Sequence, residues 1–354
     1  MISIVMTVYN GEKYLEEQLL SLGRQTLLPD ELVIGDDGST DGTEELIRRT
    51  ARMLPFPVRY EKNPERLGYA ENFRRTACRA AGDILFFCDQ DDVWKRNKLA
   101  RMTSVLEDHP EILVLVSSFW LTDAAAGRMR LTMDQMLSGM ADIALEFSGK
   151  ADRRQEGIAG TAAPEKIFWE QYLRHPRYPG MTMAVRRKLW RKASALPWPE
   201  KAAHDWMVCE LAAEEEGLYR IPDRLVFYRQ HGDNTTGTAG DRRGDAAVLG
   251  RTRLLETMAE EAEVLCRRET LAPLEQKKAA GHGAEAEVPG TADAGRKRIA
   301  CRTAEMLRKR IALLQQPFRF SSMMRILFFD LSHLDCMTMQ SLCGDLVCFL
   351  RKRF

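Results

Sequence analysis

Short apolar runs alternate with amphipathic segments over the first 120 residues of the chain. The first run, residues 2–8, is rich in β-forming residues and ends at Asn10-Gly11, after which Tyr14, Leu15, Leu19 and Leu20 recur at helical spacing. The same alternation predicts strands at 31–35, 58–61, 84–88 and 112–117 and helices at 42–53, 69–81 and 95–108. Because strands that are apolar on both faces alternate with helices, we expect an α/β fold with a mostly parallel sheet covered by helices on both faces.

The pattern weakens after residue 120 and changes again near residue 240. Residues 128–168 lose the alternation and predict an insert that consists of a loop with one short helix. Regular structure is expected again at 181–185, with a helix at 204–216 and a strand at 225–228. Beyond one large domain, 1–240, we expect a helical C-terminal region, 241–354, with helices at about 247–269 and 299–315 and a flexible linker at 276–297.

Composition narrows the class of protein. The 354 residues are 45% hydrophobic and 29% charged, which is ordinary globular material. With 52 basic and 51 acidic residues, the net charge of +1 gives no global field that would attract nucleic acid.

The eight cysteines contain no CxxC pair and are typical of reduced thiols. Because the N-terminal apolar run is too short for a signal peptide and no long apolar run occurs, we expect a cytoplasmic protein.

Two of the predicted strand-to-helix turns are rich in carboxylates. Asp36 and Asp37 follow the second strand, and Asp89, Asp91 and Asp92 follow the fourth. Ligands of open parallel sheets bind beyond the carboxyl ends of the strands, and the first such turn lacks a glycine fingerprint or lysine that would hold a phosphate. The carboxylates after the fourth strand therefore suit a divalent cation, Mg²⁺ or Mn²⁺. The alternative is that both turns are Asx turns and helix N-termini with favourable acidic residues.

Two later positions offer further chemistry. Asp205 lies between His204 and Trp206 at the start of a predicted helix, where a carboxylate is either a general base or an N-cap. His231 follows the strand at 225–228 and is a metal ligand, a phosphate donor or a structural histidine.

Short motifs occur in a fixed order along about residues 2–237. They are Thr7-Val8-Tyr9-Asn10-Gly11, Gln25-Thr26, Asp36-Asp37-Gly38-Ser39-Thr40-Asp41, Asp89-Gln90-Asp91-Asp92-Val93-Trp94, Gly180-Met181-Thr182-Met183-Ala184, His204-Asp205-Trp206 and Tyr228-Arg229-Gln230-His231. Together they resemble glycosyltransferase family 2, within its rhamnosyltransferase-like branch. The resemblance implies the GT-A fold, with a nucleotide-binding half at 1–120 and an acceptor-binding half at 121–240.

The resemblance also implies roles for individual residues. Asp205 resembles the catalytic base of inverting members, Asp89 and Asp91 resemble the metal-binding DxD element, and His231 resembles a distal metal ligand. The nucleotide-binding residues that it implies are Thr7, Tyr9, Asp36, Asp37 and Asp89. The residues that it places near the donor or acceptor are Asp92, Trp94, Met183, His204, Trp206 and Arg229.

The function implied by this resemblance is inverting, metal-dependent transfer of rhamnose or a hexose from a dTDP- or UDP-sugar to an acceptor hydroxyl. The acceptor would be a saccharide or lipid-linked saccharide in bacterial surface polysaccharide synthesis. The alternatives are a non-catalytic nucleotide-sugar-binding module and a nucleotidyltransferase. The basic and apolar tail, 318–354, predicts either peripheral contact with the inner face of the membrane or a packed helix pair.

Overall fold

The computed structural model describes residues 1–122, 162–174, 178–196, 198, 203–229, 231, 255–256, 258–260, 262–263, 291–315 and 325. The chain divides into two units, Met1–Gly240 and Asp241–Phe354. Within the described residues of the first unit, nine strands form one sheet.

The first half of the sheet is parallel, with a helix after each strand. Its strands are β1 (Ile2–Val8), β2 (Glu31–Asp36), β3 (Val58–Lys62) and β4 (Ile84–Cys88), in the order β3-β2-β1-β4. The helices are α1 (Leu15–Gly23), α2 (Thr43–Ala51), α3 (Tyr69–Arg79) and α4 (Lys98–Asp108). Because β2 and β4 are buried along their whole length, both faces of the sheet are covered, as the apolar runs predict.

The second half of the sheet is mixed. It contains β5 (Val93–Trp94), β6 (Val114–Thr122), β7 (Glu165–Lys166), β8 (Met183–Arg186) and β9 (Leu218–Arg229). The described helices are α5 (Trp169–Arg174), α6 (Arg187–Ala195) and α7 (His204–Glu214), and a 3₁₀ turn occupies Gly180–Thr182. β8 lies between β4 and β6 and runs antiparallel to both, whereas β9 runs parallel to β6. The predicted α/β fold is confirmed, and the antiparallel strands are an addition that the periodicity does not reveal.

Several boundaries differ from the sequence-based expectation. β9 begins at Leu218 rather than at 225, because pairing with β6 holds the polar segment around Asp223 in the sheet. β7 and the 3₁₀ turn were not predicted as elements, and β7 lies inside the expected insert 128–168, most of which is outside the described residues. Long-range pairing with β6 and β9 brings the polar segments at 218–224 and 165–166 into the sheet.

The second unit contains the long helix α8 (Thr291–Leu314), and the described residues at 255–256, 258–260 and 262–263 are also helical. Because α8 begins at Thr291, the last part of the predicted linker 276–297 is helical.

Cys78, Cys88 and Cys209 are free thiols, but Cys301 in α8 is disulfide-bonded, so the prediction of reduced thiols is wrong for Cys301. The tail at 318–354 lies outside the described residues except for Arg325. Among the helices that are described, none has the length and apolar character needed to cross a bilayer.

Candidate active site

The carboxyl ends of β1, β2 and β4 lie side by side and bring the predicted turns to one edge of the sheet. Gln90 joins two of these turns, because Tyr9 N donates to Gln90 Oε1 (2.8 Å) and Gln90 Nε2 donates to Tyr9 O (3.1 Å). Gly11 makes this approach possible, since a Cβ at Gly11 would lie 2.5 Å from Gln90 Oε1. Gln90 therefore holds the backbone of Tyr9, a role that its place inside an acidic motif did not reveal.

Asp36 stabilises the turn that follows β2 through its side-chain hydrogen bonds. Its carboxylate accepts hydrogen bonds from Ser39 N (2.8 Å), Ser39 Oγ (2.7 Å) and the Tyr60 hydroxyl (2.7 Å), and the residue is 0% exposed. Asp36 therefore supports the turn, and its direct contact with a nucleotide stays a prediction.

Asp37 holds the segment that precedes α3. Its carboxylate accepts hydrogen bonds from Leu67 N (2.7 Å) and Gly68 N (2.9 Å), and Gly68 has a φ of 81° that favours glycine. These contacts place Arg66 over Tyr9, with its guanidinium carbon 3.9 Å from the centroid of the Tyr9 ring. Arg66 is largely exposed and was not among the predicted site residues. Thr7 and Tyr9 are half-buried at the same edge.

The carboxylates of the turn after β4 differ in their surroundings. Burial, followed by the negative charges of Asp91 and Asp205, raises the pKa of Asp89 to about 7, and the buried cation of Lys98 opposes this rise. Asp92 is 0% exposed, and its Oδ1 accepts a hydrogen bond from Arg229 N (3.0 Å). Burial also raises the pKa of Asp92 well above its usual range. Asp92 therefore ties this turn to the end of β9 rather than facing a ligand.

His231 returns to the acidic turn from the end of β9. Its Nε2 lies 2.9 Å from Asp91 Oδ2, and its ring lies 4.6 Å from the ring of Tyr14. The buried side chain of Arg229 donates from Nε to the carbonyl of Asp91 (2.8 Å) and pairs with Glu17 of α1. The structure thus brings together the predicted residues Asp91, His231 and Arg229.

Asp205 is fixed at the start of α7. Its Oδ2 accepts a hydrogen bond from Gly180 N (3.2 Å), and its Oδ1 accepts one from Trp206 N (2.8 Å). The charge of Asp205 contributes to the raised pKa of Asp89. Asp205, at the start of α7, therefore shares one electrostatic environment with the acidic turn after β4.

Four predicted residues lie behind the site rather than in it. Trp94, Met183, His204 and Trp206 are each 5% exposed or less. Burial lowers the pKa of His204 to about 4, so its ring is neutral at pH 7, and it stacks on Phe73 with ring centroids 3.7 Å apart. These side chains support the site by packing.

The side chains that could coordinate a divalent cation at this edge make up only part of a coordination shell. Over the described ranges, no group of three or more Asp, Glu, His or Cys side chains is arranged to hold a metal by itself. Asp91 and His231 are in contact, however, and the pKa of Asp89 is raised first by burial and then by the nearby charges of Asp91 and Asp205, which a cation would offset. Mg²⁺ and similar ions commonly use one or two protein carboxylates and complete their coordination with substrate phosphates. The residues present fit a site of that open kind.

Comparison with known proteins finds similarity to one family in the first part of the chain. Residues 3–160 match the sequence profile described as glycosyl transferase family 2. The abequosyltransferase RfbV of Salmonella typhimurium is 35% identical over 114 residues, which are 32% of this chain and 34% of that protein. The amylovoran biosynthesis glycosyltransferase AmsE of Erwinia amylovora is 32% identical over 118 residues, 32% of this chain and 43% of that protein. The chain thus spans about a third of the length of the first of these curated relatives.

Solved structures agree on the fold. S. aureus TarS (residues 1–349) in complex with UDP-GlcNAc has a TM-score of 0.52 at 16% identity, covering 99% of this chain and 91% of that one. The mannosyltransferase PcManGT from Pyrobaculum calidifontis, in complex with GDP-Man and Mn²⁺, has a TM-score of 0.53 at 15% identity, covering 100% of this chain and 87% of that one. At these identities the likeness concerns the fold alone. Residues 3–160 are thus similar to glycosyltransferase family 2, and the chain has the GT-A fold.

Proposed function

We propose that the chain is an inverting, metal-dependent glycosyltransferase that transfers a sugar from a nucleoside-diphosphate donor to an acceptor hydroxyl. The observation that carries this proposal is the convergence of three distant segments at one sheet edge. Asp91 contacts His231, and Asp89 shares an electrostatic environment with Asp205. A carboxylate positioned beside a diphosphate site suits glycosyl transfer, where a negatively charged leaving group departs and a hydroxyl must lose a proton.

The nucleotide would bind at the edge formed by Tyr9 and the segment that Asp37 holds. Half-buried Tyr9 offers an aromatic surface, and the guanidinium of Arg66 lies against it, 3.9 Å from the ring centroid. The donor that we propose is a dTDP- or UDP-sugar carrying rhamnose or a hexose. A bound UDP-GlcNAc in TarS and a bound GDP-Man in PcManGT support a nucleotide sugar as the class of donor.

The divalent cation, Mn²⁺ or Mg²⁺, would be held by Asp91 and His231, with Asp89 beside them. When bound, it would neutralise the charge that develops on the departing diphosphate. Arg229 and Asp92 keep the acidic turn in place, since Arg229 donates to the carbonyl of Asp91 and Asp92 accepts from Arg229 N. The Mn²⁺ in PcManGT supports this assignment.

Asp205 would act as the general base toward the acceptor. The N–H groups of Gly180 and Trp206 each bind one of its oxygens, which fixes the carboxylate while leaving lone pairs for a hydroxyl proton. The deprotonated acceptor oxygen would attack the anomeric carbon from the face opposite the diphosphate, and the new glycosidic bond would form as the bond from that carbon to the diphosphate oxygen breaks, which would invert the anomeric centre. The acceptor that we propose is a saccharide of bacterial surface polysaccharide, in keeping with the amylovoran biosynthesis of AmsE.

The test is a panel of dTDP-, UDP- and GDP-sugars incubated with the full chain and Mn²⁺, with release of nucleoside diphosphate measured. We expect one donor class to be hydrolysed, EDTA to abolish release, and Asp205→Asn to fold normally and lose about 10²–10⁴-fold in rate. Asp83→Asn, which removes a carboxylate that is 81% exposed, is the matched control and should retain the wild-type rate.

Two outcomes would contradict the proposal. If EDTA leaves the release of nucleoside diphosphate unchanged, the reaction does not require a divalent cation. If Asp205→Asn keeps the wild-type rate, Asp205 is not the general base. Mn²⁺-dependent binding of UDP without hydrolysis of any donor would instead favour the non-catalytic nucleotide-sugar-binding module.

A further inference from the structure

Lys98, the first residue of α4, carries a buried amine that the proposed reaction does not use directly, and burial lowers the pKa of this amine to about 7. The residue is 0% exposed, its Nζ donates a hydrogen bond to the carbonyl of Met181, and Nζ lies 3.6 Å from the centroid of the Trp94 ring. Burying an ammonium group is costly unless it is paired and hydrogen-bonded. Lys98 is therefore held at this place by a specific set of partners, of which the Met181 carbonyl is one.

The partner of Lys98 belongs to the same short turn that fixes Asp205. In the 3₁₀ turn Gly180–Thr182, the Gly180 N–H donates to Asp205 Oδ2 (3.2 Å) and the Met181 carbonyl accepts from Lys98. Two consecutive residues of the turn thus contact the side chains of Asp205 and Lys98. Thr182 closes the turn, since its hydroxyl donates to the carbonyl of Pro179 (2.7 Å).

The turn has little room to move on the side that faces α7. A Cβ at Gly180 would lie 2.5 Å from Nε2 of His204, and the His204 ring is itself stacked on Phe73. Neither ring nitrogen of His204 has a hydrogen-bond partner among the described residues, so His204 limits the turn by its shape. The turn is thus held by a hydrogen bond from Lys98 in α4 and by close packing against His204 in α7.

We propose that Lys98 is a positioning residue that acts through the Met181 carbonyl to hold the Gly180 N–H where it fixes the carboxylate of Asp205. This inference rests on the proposed function, in which Asp205 is the base. It links the helix that follows the acidic turn to the start of α7, so that the two halves of the site keep a fixed separation. Without the Lys98 amine, the Met181 carbonyl would lose a donor and the turn would shift.

The first test is structural and needs no substrate. Crystal structures of the full chain with Lys98→Met and with the control Lys188→Met, which alters an exposed lysine on α6, would be compared with the unaltered chain. We expect Lys98→Met to lengthen the distance from Gly180 N to Asp205 Oδ2 beyond hydrogen-bonding range and Lys188→Met to leave it unchanged. An unmoved turn in Lys98→Met would overturn the proposal.

The second test asks whether Lys98 acts through Asp205. Hydrolysis of the donor found in the panel would be measured for Lys98→Met, Asp205→Asn and the double variant, together with the affinity for UDP and Mn²⁺. We expect Lys98→Met to lower the rate about tenfold or more in the unaltered chain but less than about threefold in the Asp205→Asn background, because residues that act as a unit are non-additive. UDP affinity should change by less than about threefold.

Equal losses in both backgrounds would overturn the role of Lys98 while leaving Asp205 as the base. A fully active Asp205→Asn would instead sink the proposed function, which makes the two failures distinguishable. If Lys98→Met does not fold, Lys98→Gln, whose amide retains donors for the Met181 carbonyl, should keep the distance from Gly180 N to Asp205 Oδ2, and a displaced turn in a folded Lys98→Gln that still makes this hydrogen bond would overturn the proposal. Gly180→Ala, which crowds His204 from within the turn, should show the same dependence on Asp205.

Discussion

Gln90 shows how an uncharged side chain can matter among carboxylates. It lies between Asp89 and Asp91, yet its amide turns away from them and makes a pair of hydrogen bonds with the backbone of Tyr9. The amide is suited to this task because it carries a donor and an acceptor at once, whereas a carboxylate has only acceptors. The position of the Tyr9 ring, and hence the proposed nucleotide site, depends on this pair.

We predict that Gln90→Glu weakens the binding of UDP in the presence of Mn²⁺. The variant keeps an acceptor for Tyr9 N but leaves the Tyr9 carbonyl without its donor, a loss of about 1–3 kcal/mol, or roughly five- to a hundredfold in affinity. Gln171→Glu is the control, because Gln171 Oε1 accepts a hydrogen bond from Phe168 N that a carboxylate retains, and the part of the chain that the structure describes shows no bond donated by the Gln171 amide. Calorimetric titration with UDP checks the prediction, and equal affinities for the two variants would contradict it.

At the scale of elements, two adjacent arginines complete the ends of helices. Arg186 donates to the carbonyls of Leu106 and His109 at the end of α4, and also to Ile112. Arg187 donates to the carbonyls of Ala80 and Gly82, just beyond α3. The last carbonyls of a helix have no partner within the helix, and cationic side chains stabilise them. The junction of β8 and α6 therefore anchors two helices that cover the sheet.

We predict that Arg186→Met lowers the free energy of unfolding by about 2–4 kcal/mol, because several carbonyls lose a charged donor together. Lys188→Met, two residues later and exposed on α6, is the control and should change stability by less than about 0.5 kcal/mol. Chemical denaturation of both variants gives the comparison. A similar midpoint for both would show that water replaces the guanidinium at no cost.

At the scale of the whole molecule, the first unit, Met1–Gly240, contains every residue of the proposed site. Its sheet is continuous from β3 to β5, and the described contacts of Asp91, His231 and Asp205 are all made within it. A unit with its own core is expected to fold by itself.

We predict that a chain ending at residue 240 melts cooperatively and binds UDP with Mn²⁺ within about threefold of the full chain. Thermal unfolding and calorimetry on the two chains provide the measurement, with Asp91→Asn in the shorter chain as a control that should lose the effect of Mn²⁺. A shortened chain that is unfolded or aggregated would show that the second unit is required for folding.

The expected site residues divide according to how far apart in sequence their partners lie. Asp89 and Asp91 were found from the sequence because they directly follow an apolar strand, and the ends of parallel strands meet at one edge. Asp36 was placed at the right edge, but its hydrogen bond with the Tyr60 hydroxyl was not predicted, since Tyr60 comes from another strand. Arg66 and Lys98 were missed because nothing in their local sequence indicates which aromatic ring or carbonyl they will meet.

The sequence by itself determined the alternation of strands and helices in the first half of the chain and the edge at which its acidic turns lie, because hydrophobic periodicity is a local property. Only the tertiary structure decided that β8 runs antiparallel between β4 and β6, that His231 reaches Asp91, and that one turn connects Lys98 to Asp205. These contacts join residues far apart along the chain, and their geometry arises from the packing of whole elements, which no local pattern specifies.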